Sequence, residues 1–157
     1  MLTLNQVSAL SEDLFAPLYG LSDAELTRRG IIRKTVDHRP GFPCRVSLAD
    51  AEIGETVLLL NYEHQPANSP YRASYAIYVR EGAKEARPQT NEVPPVMRGR
   101  LLSVRAFDDA GMLADFNVVN GDAVEPVLER LLDNDRVAYL HVHNAGPGCY
   151  SARVDRA

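Results

Sequence analysis

Cysteine is scarce in this sequence of 157 residues and occurs only as Cys44 and Cys149. Two cysteines are too few for a disulfide framework, and their wide separation excludes a compact zinc ribbon built on CxxC pairs. A single bridge between the two stays open, although cytosolic proteins seldom keep a structural disulfide. The scarcity therefore argues against the small, cross-linked secreted scaffolds as a class.

Long hydrophobic runs are also missing. The most apolar segment, Val57–Leu60, is only long enough for a buried strand, whereas a membrane-spanning helix needs roughly 20 apolar residues. The segment before Phe15 has no basic start and already carries acids at Glu12 and Asp13. The sequence therefore predicts no targeting segment, no membrane association and a cytoplasmic location.

Positive charge is not in excess either, because the formal net charge is −4. A basic stretch runs from Arg28 to Arg45, but an acidic chain with no aromatic interleaving of that stretch is a poor match to a nucleic-acid-binding face. We therefore expect no nucleic-acid partner. The sequence favours an unknown small molecule or protein as the partner, and it leaves the oligomeric state open.

What is present is an ordinary globular composition, with 45% hydrophobic and 24% charged residues, in a chain long enough to bury a core. We expect one domain, residues 1–157. Capping and periodicity patterns predict helices around 8–19, 22–30 and 122–134, and alternation predicts strands around 31–38, 56–62, 74–80, 100–107, 112–119, 136–143 and 149–155. This order predicts an α+β fold with a largely antiparallel sheet of about six to seven strands and two to three helices. A crossover through the last helix would make that sheet mixed.

The two C-terminal strands are predicted to form a hairpin around the loop 144–148. Pairing residue 143 with 149 and residue 141 with 151 makes the apolar sets of the two strands coincide, with Val142 beside Tyr150. In this register, one polar face carries the side chains His141, His143, Cys149 and Ser151. Directly opposite Cβ atoms would lie roughly 5 Å apart.

One hypothesis for this polar face is a metal site. His141 and His143 project two imidazoles to one side of a strand, Cys149 is a third candidate ligand, and His64 or Cys44 could complete the set. Imidazole and thiolate ligands suit zinc best, so zinc is the candidate cofactor, although the cofactor stays unknown. The alternative is that both histidines simply pack among neighbouring side chains or face water.

A second hypothesis is catalysis, with Cys149 as nucleophile and His143 or His141 as its base. Against it, Cys149 starts a strand rather than a helix, and a small buried cysteine is the commoner outcome. A third hypothesis is a binding domain in which Arg45, Arg72 and His64 contact an anionic group of a small molecule or a partner. Salt bridges with the chain's many acids are the alternative for each arginine. The sequence leaves open whether the protein is an enzyme, and binding is favoured.

Several long stretches are similar to a known family. They are the segments PGFPCRVSL (40–48), YEHQP (62–66), SPYRAS (69–74), RAF (105–107), HVHNAGPGCY (141–150) and ARVDR (152–156). On these segments, the chain from Leu26 onward resembles a bacterial family catalogued as domain of unknown function 1203. The resemblance implies a small, free-standing bacterial protein and no particular activity. These distinctive segments include the polar residues Cys44, Arg45, His64, Arg72, His143 and Cys149.

Overall fold

The computed structural model describes residues 3–157, which form eight strands and three α-helices. The strands are β1 (Asn5–Ser8), β2 (Ile32–Thr35), β3 (Thr56–Gln65), β4 (Ala73–Arg80), β5 (Leu101–Phe107), β6 (Leu113–Asn120), β7 (Tyr139–Asn144) and β8 (Tyr150–Arg156). The helices are α1 (Ala16–Tyr19), α2 (Asp23–Arg28) and α3 (Glu125–Leu132). The α+β class is confirmed. No α-helix within residues 3–157 has the length and apolar character needed to cross a membrane.

The strands are divided between two antiparallel sheets. The larger sheet has five strands in the order β1-β8-β7-β5-β6, and the smaller has three in the order β2-β3-β4. Every pair of neighbouring strands in these sheets is antiparallel. Helix α3 connects β6 to β7, and β7 then pairs with β5 in the antiparallel sense. The crossover that would have produced a mixed sheet is therefore not formed.

The N-terminal segment departs from the predicted helix over residues 8–19. It begins with strand β1, continues into a 3₁₀ turn at Glu12–Leu14 and forms only the four-residue helix α1. Strand β1 exists because it pairs with β8, which places Val7 opposite Val154 in the core. A partner strand almost at the other end of the chain leaves no local pattern, so the prediction was wrong here. The capping box of α2 is confirmed, with the Ser22 hydroxyl accepting from the Glu25 amide at 3.1 Å.

Helix α3 covers one face of the five-stranded sheet. Its apolar residues Leu128, Leu131 and Leu132 recur at helical spacing and are buried. They pack with Leu140 and Val142 of β7 in the main hydrophobic core. Because side chains alternate along a strand, the odd-numbered residues of β7 point away from this core. That second face carries Tyr139, His141 and His143. It lies against the three-stranded sheet.

Gly121 fixes the segment that follows β6 against the chain before β5. Its amide donates to the carbonyl of Arg100 at 2.7 Å, and a Cβ at this position would overlap the carbonyl oxygen of Met97. We expect Gly121→Ala to lower the free energy of unfolding by about 3 kcal/mol, because the backbone of one segment must move. Urea unfolding followed by circular dichroism measures this change.

Gly20→Ala is the matched control, because a Cβ at Gly20 meets no atom within 4 Å. It should change stability by less than about 1 kcal/mol. Equal effects of the two substitutions would contradict the close approach at Gly121.

Candidate functional site

Two groups of side chains lie on opposite faces of the β7–β8 hairpin. The first, the histidine cluster, consists of His64, His141, His143 and Tyr150. The second lines a cavity of about 550 Å³, which we call the arginine cavity after its buried Arg45. Its lining residues are Gly41, Pro43, Arg45, Leu59, Tyr75, Ala76, Tyr78, Arg100, Leu101, Asn144, Gly146, Pro147 and Cys149.

A β-bulge in β8 decides which side chain faces which way. Val142 pairs with Ala152, but the next residue, His143, pairs with Tyr150, so Ser151 is an extra residue in the strand. The bulge reverses the alternation beyond it. Tyr150 therefore joins the histidines instead of the apolar core, and Cys149 leaves the histidine face. The predicted pairing of residues 143 with 149 and 141 with 151 was wrong: His141 pairs with Arg153, two residues further along β8, and the bulge then places Tyr150 opposite His143.

The histidine cluster joins the two sheets. The ring of His64, from β3, lies 4.9 Å from that of His143 and 6.0 Å from that of His141, measured between centroids. Tyr150 stacks on His64 at 5.4 Å and an interplanar angle of 13°. These close ring contacts bury all four side chains.

Burial determines the charge state of these histidines. It lowers the pKa of His141 to about 3 and that of His143 to about 4, and neighbouring imidazoles and Arg105 add to the effect. Burial also lowers the pKa of His64. All three rings are therefore neutral near pH 7. His143 Nδ1 donates to the carbonyl of Gly148 at 2.9 Å, whereas Nδ1 of His64 and of His141 has no partner within residues 3–157.

The metal hypothesis is not supported. Within the described residues, no three His, Cys, Asp or Glu side chains are arranged to hold a metal ion. The His64 ring meets those of His141 and His143 edge to face, and Cys149 lies on the other face of the hairpin. The other cysteine, Cys44, is fully buried. The predicted ligand set His141, His143 and Cys149 is therefore not brought together as a zinc site.

The second group centres on Arg45, only 2% exposed. Its Nε donates to the carbonyl of Tyr150 at 2.7 Å, and its Nη1 donates to the carbonyl of Pro43 at 2.5 Å. No carboxylate among residues 3–157 forms a salt bridge with it. Burial lowers the pKa of Arg45, and the Cys149 side chain beside it opposes this effect. A cation thus stands on the cavity wall without a compensating acid.

Two further polar groups stand beside this cation. The Asn144 amide donates from Nδ2 to Cys149 Sγ at 3.5 Å, and its Oδ1 is buried without a partner in the described chain. Arg100, by contrast, has its charge compensated, because it forms a two-pronged salt bridge with Asp50 at 2.5 and 3.1 Å. On the cavity wall, therefore, Arg45 lacks a compensating acid and Asn144 lacks a donor for its Oδ1 among residues 3–157.

The other predicted site residues do not gather around Arg45 and Cys149. No hydrogen bond joins His143 to Cys149 in the described chain, and the amide of Asn144 contacts the sulfur instead. Arg72 is exposed and forms its salt bridge with Glu63 at 3.1 Å, outside the cavity lining. His64 belongs to the histidine cluster. Tyr150 was missed as a site residue because only the bulge, which has no local sequence pattern, assigns it to its face. Asn144 was missed because it was assigned to the loop 144–148, whereas β7 continues through it.

A family model described as "Protein of unknown function (DUF1203)" matches residues 41–156. This segment contains every residue of the histidine cluster and of the arginine cavity. No curated protein matches the chain, and no solved structure matches it.

Proposed function

This chain belongs to the family described as Protein of unknown function (DUF1203), and from its own geometry we propose that it is a small-ligand-binding domain. The observation that carries this proposal is Arg45, a buried guanidinium on the wall of a cavity with no carboxylate paired to it. An uncompensated buried cation costs free energy, and an anion that enters the cavity removes that cost. The favoured ligand therefore carries a negative group.

The rest of the cavity defines the body of the ligand. Its walls include Leu59, Tyr78, Leu101 and Pro147, which offer mainly apolar surface. A volume of about 550 Å³ lies within the ordinary range for sites that bind small molecules. A guanidinium binds carboxylates through two parallel hydrogen bonds. We therefore propose a small organic acid, with its carboxylate at Arg45 and an apolar or aromatic body against these walls.

Isothermal titration calorimetry with pairs of acids and amides tests this ligand class. Benzoate and hexanoate should bind at least about tenfold more tightly than benzamide and hexanamide, since only the acids pair with a cation. Arg45→Met should abolish this preference. Arg72→Met is the matched control and should leave it unchanged, because Arg72 is exposed and outside the cavity. Equal affinities of acids and amides for the unmodified protein would overturn the proposal.

A second variant tests the cavity without touching Arg45. Gly146 lines the cavity, and a Cβ built there meets no atom within 4 Å, so Gly146→Leu can fill the cavity with little strain. It should weaken benzoate binding at least about tenfold by steric exclusion. Gly20→Leu, at an equally open glycine outside the lining, should bind benzoate normally. Unchanged binding by Gly146→Leu would place the ligand elsewhere.

We also propose that the protein works in the cytoplasm as one domain, residues 1–157. Two free cysteines support the location, because unpaired thiols persist in reducing compartments. The ring contacts between His64 of one sheet and His143 of the other support the single domain. Cell fractionation tests the first statement, and a single cooperative unfolding transition followed by two probes tests the second.

A further inference from the structure

Cys149 lies on the wall of the arginine cavity, and the geometry points to a chemical role beyond binding. We propose that its sulfur is a nucleophile that bonds covalently to the ligand. The substrates are small carboxylic acids in which a carbon conjugated with the carboxylate is electrophilic. This inference rests on the proposed function, because the same cavity must first bind the carboxylate.

Two polar groups beside the sulfur can stabilise negative charge that develops on it. Cys149 lies beside the guanidinium of Arg45 and accepts a hydrogen bond from Asn144 Nδ2 at 3.5 Å. N–H donors and a positive charge stabilise negative charge on sulfur, and the thiolate is the form that attacks. The sulfur therefore has two activating neighbours, and neither is a histidine.

Asn144, next to the Cys149 sulfur, also has a polar atom that is unpaired in the described part of the chain. Its side chain is about nineteen-twentieths buried, lines the cavity and holds an oxygen with no hydrogen-bond partner in residues 3–157. Buried polar groups are nearly always paired, and the exceptions gather at sites with a catalytic or binding role. An orphaned amide in contact with the Cys149 sulfur is such an exception.

Arg45 also makes the electrophile reactive toward a thiolate. A free carboxylate repels an approaching anion and donates electrons to the conjugated carbon. Pairing with the guanidinium of Arg45 removes the repulsion and withdraws electron density, so addition becomes easier. The same contact holds the electrophilic carbon close to the Cys149 sulfur.

The step is a conjugate addition that needs no further reactant. The sulfur forms a bond to the β-carbon of an α,β-unsaturated carboxylate, and the π pair moves to the α-carbon. The proton that leaves the thiol is returned through water to that α-carbon, so the product is a saturated thioether acid. Nothing is lost, and no external oxidant or reductant takes part.

Cys44 is an internal control for this chemistry. It is fully buried and does not line the cavity. Its sulfur accepts hydrogen bonds from the backbone amides of Ser47 and Arg80 at 3.4 and 3.3 Å. Its thiol should therefore react only when the protein unfolds. Peptide mass spectrometry reports the modification of each cysteine separately within one sample.

Iodoacetate and iodoacetamide provide the decisive test, because they differ in charge but hardly in size. The sulfur displaces iodide from both, and exposure affects both rates alike. The ratio of the iodoacetate rate to the iodoacetamide rate at Cys149 should exceed that of glutathione at least about tenfold, since Arg45 attracts only the acid. Benzoate should protect Cys149, and crotonate should form an adduct there faster than crotonamide.

Two variants make the result specific. Arg45→Met should return the ratio at Cys149 to that of glutathione, and Arg72→Met should leave it as in the unmodified protein. A ratio equal to that of glutathione in the unmodified protein, or one that Arg45→Met leaves unchanged, would overturn the inference. If benzoate still binds in that case, the nucleophile alone is refuted and the binding function stands. If benzoate does not bind either, both proposals fail.

Discussion

Acidification from pH 6.5 to pH 4.5 is expected to lower the free energy of unfolding by roughly 5 kcal/mol through His141 and His143 alone. Burial lowers their pKa values to about 3 and about 4 in the folded protein, whereas an unfolded histidine titrates near 6.5. Between these pKa values, the two histidines therefore bind protons in the unfolded chain but not in the folded protein. Stability is complete above about pH 6.5 and is lost as the pH falls toward the folded values.

The charged groups that face the cluster act in the same direction as burial, whereas the hydrogen bond to the Gly148 carbonyl opposes the lowering of the His143 pKa. Arg105 and Arg153 disfavour a positive charge on His141, as do the other two imidazoles. The carboxylate of Asp155 is engaged by Arg153 at 2.9 Å. A loss of roughly 5 kcal/mol is comparable with the whole stability of many domains. We therefore expect unfolding to begin near pH 4.5, which urea titrations at a series of pH values measure.

His141→Phe isolates the histidine contribution from that of the carboxylates. His141 Nδ1 has no hydrogen-bond partner in the described chain, and the ring packs against the aromatic rings of Phe107, Tyr139 and Tyr150. The variant should reduce the pH slope by up to about 1.4 kcal/mol per pH unit. His38→Gln is the control, because His38 is exposed. Parallel pH profiles of the unmodified protein and His141→Phe would contradict the prediction.

Local patterns in the sequence predict the elements whose cause is local. The capping box at Ser22 and Glu25 predicts the start of α2, and helical spacing of apolar residues predicts α3. Alternation along β7 correctly assigns Leu140 and Val142 to the core. In each of these cases, the side chains that determine the structure lie within a few residues of one another.

The site depended on causes that are not local. Ser151 forms a bulge because Tyr150 packs on His64 of another sheet while Ala152 keeps its place in the core. Arg45 is buried because two carbonyls distant from solvent, one of them at Tyr150, accept its N–H groups. Nothing in the segment around Arg45 distinguishes it from an exposed arginine, so only the folded chain reveals the uncompensated cation.

Replacing that cation is expected to destabilise the protein far more than replacing an exposed arginine. Arg45→Met removes two hydrogen bonds and leaves the carbonyls of Tyr150 and Pro43 unpaired in the interior. Each unpaired group costs about 1–3 kcal/mol, and relief from burying a charge offsets part of the sum. The free energy of unfolding should therefore fall by about 3 kcal/mol, as measured by urea unfolding at pH 7.

Arg72→Met is the matched control for this loss of stability. Arg72 is exposed and forms a surface salt bridge with Glu63, which contributes less than about 1 kcal/mol. If Arg45→Met costs no more than Arg72→Met, its two carbonyl bonds do not hold the bulge in place. Benzoate should raise the stability of the unmodified protein and of Arg72→Met, but not that of Arg45→Met, because a ligand stabilises only the protein that binds it. The same variant thus separates the two roles of Arg45, a structural one toward the Tyr150 backbone and a binding one toward the cavity.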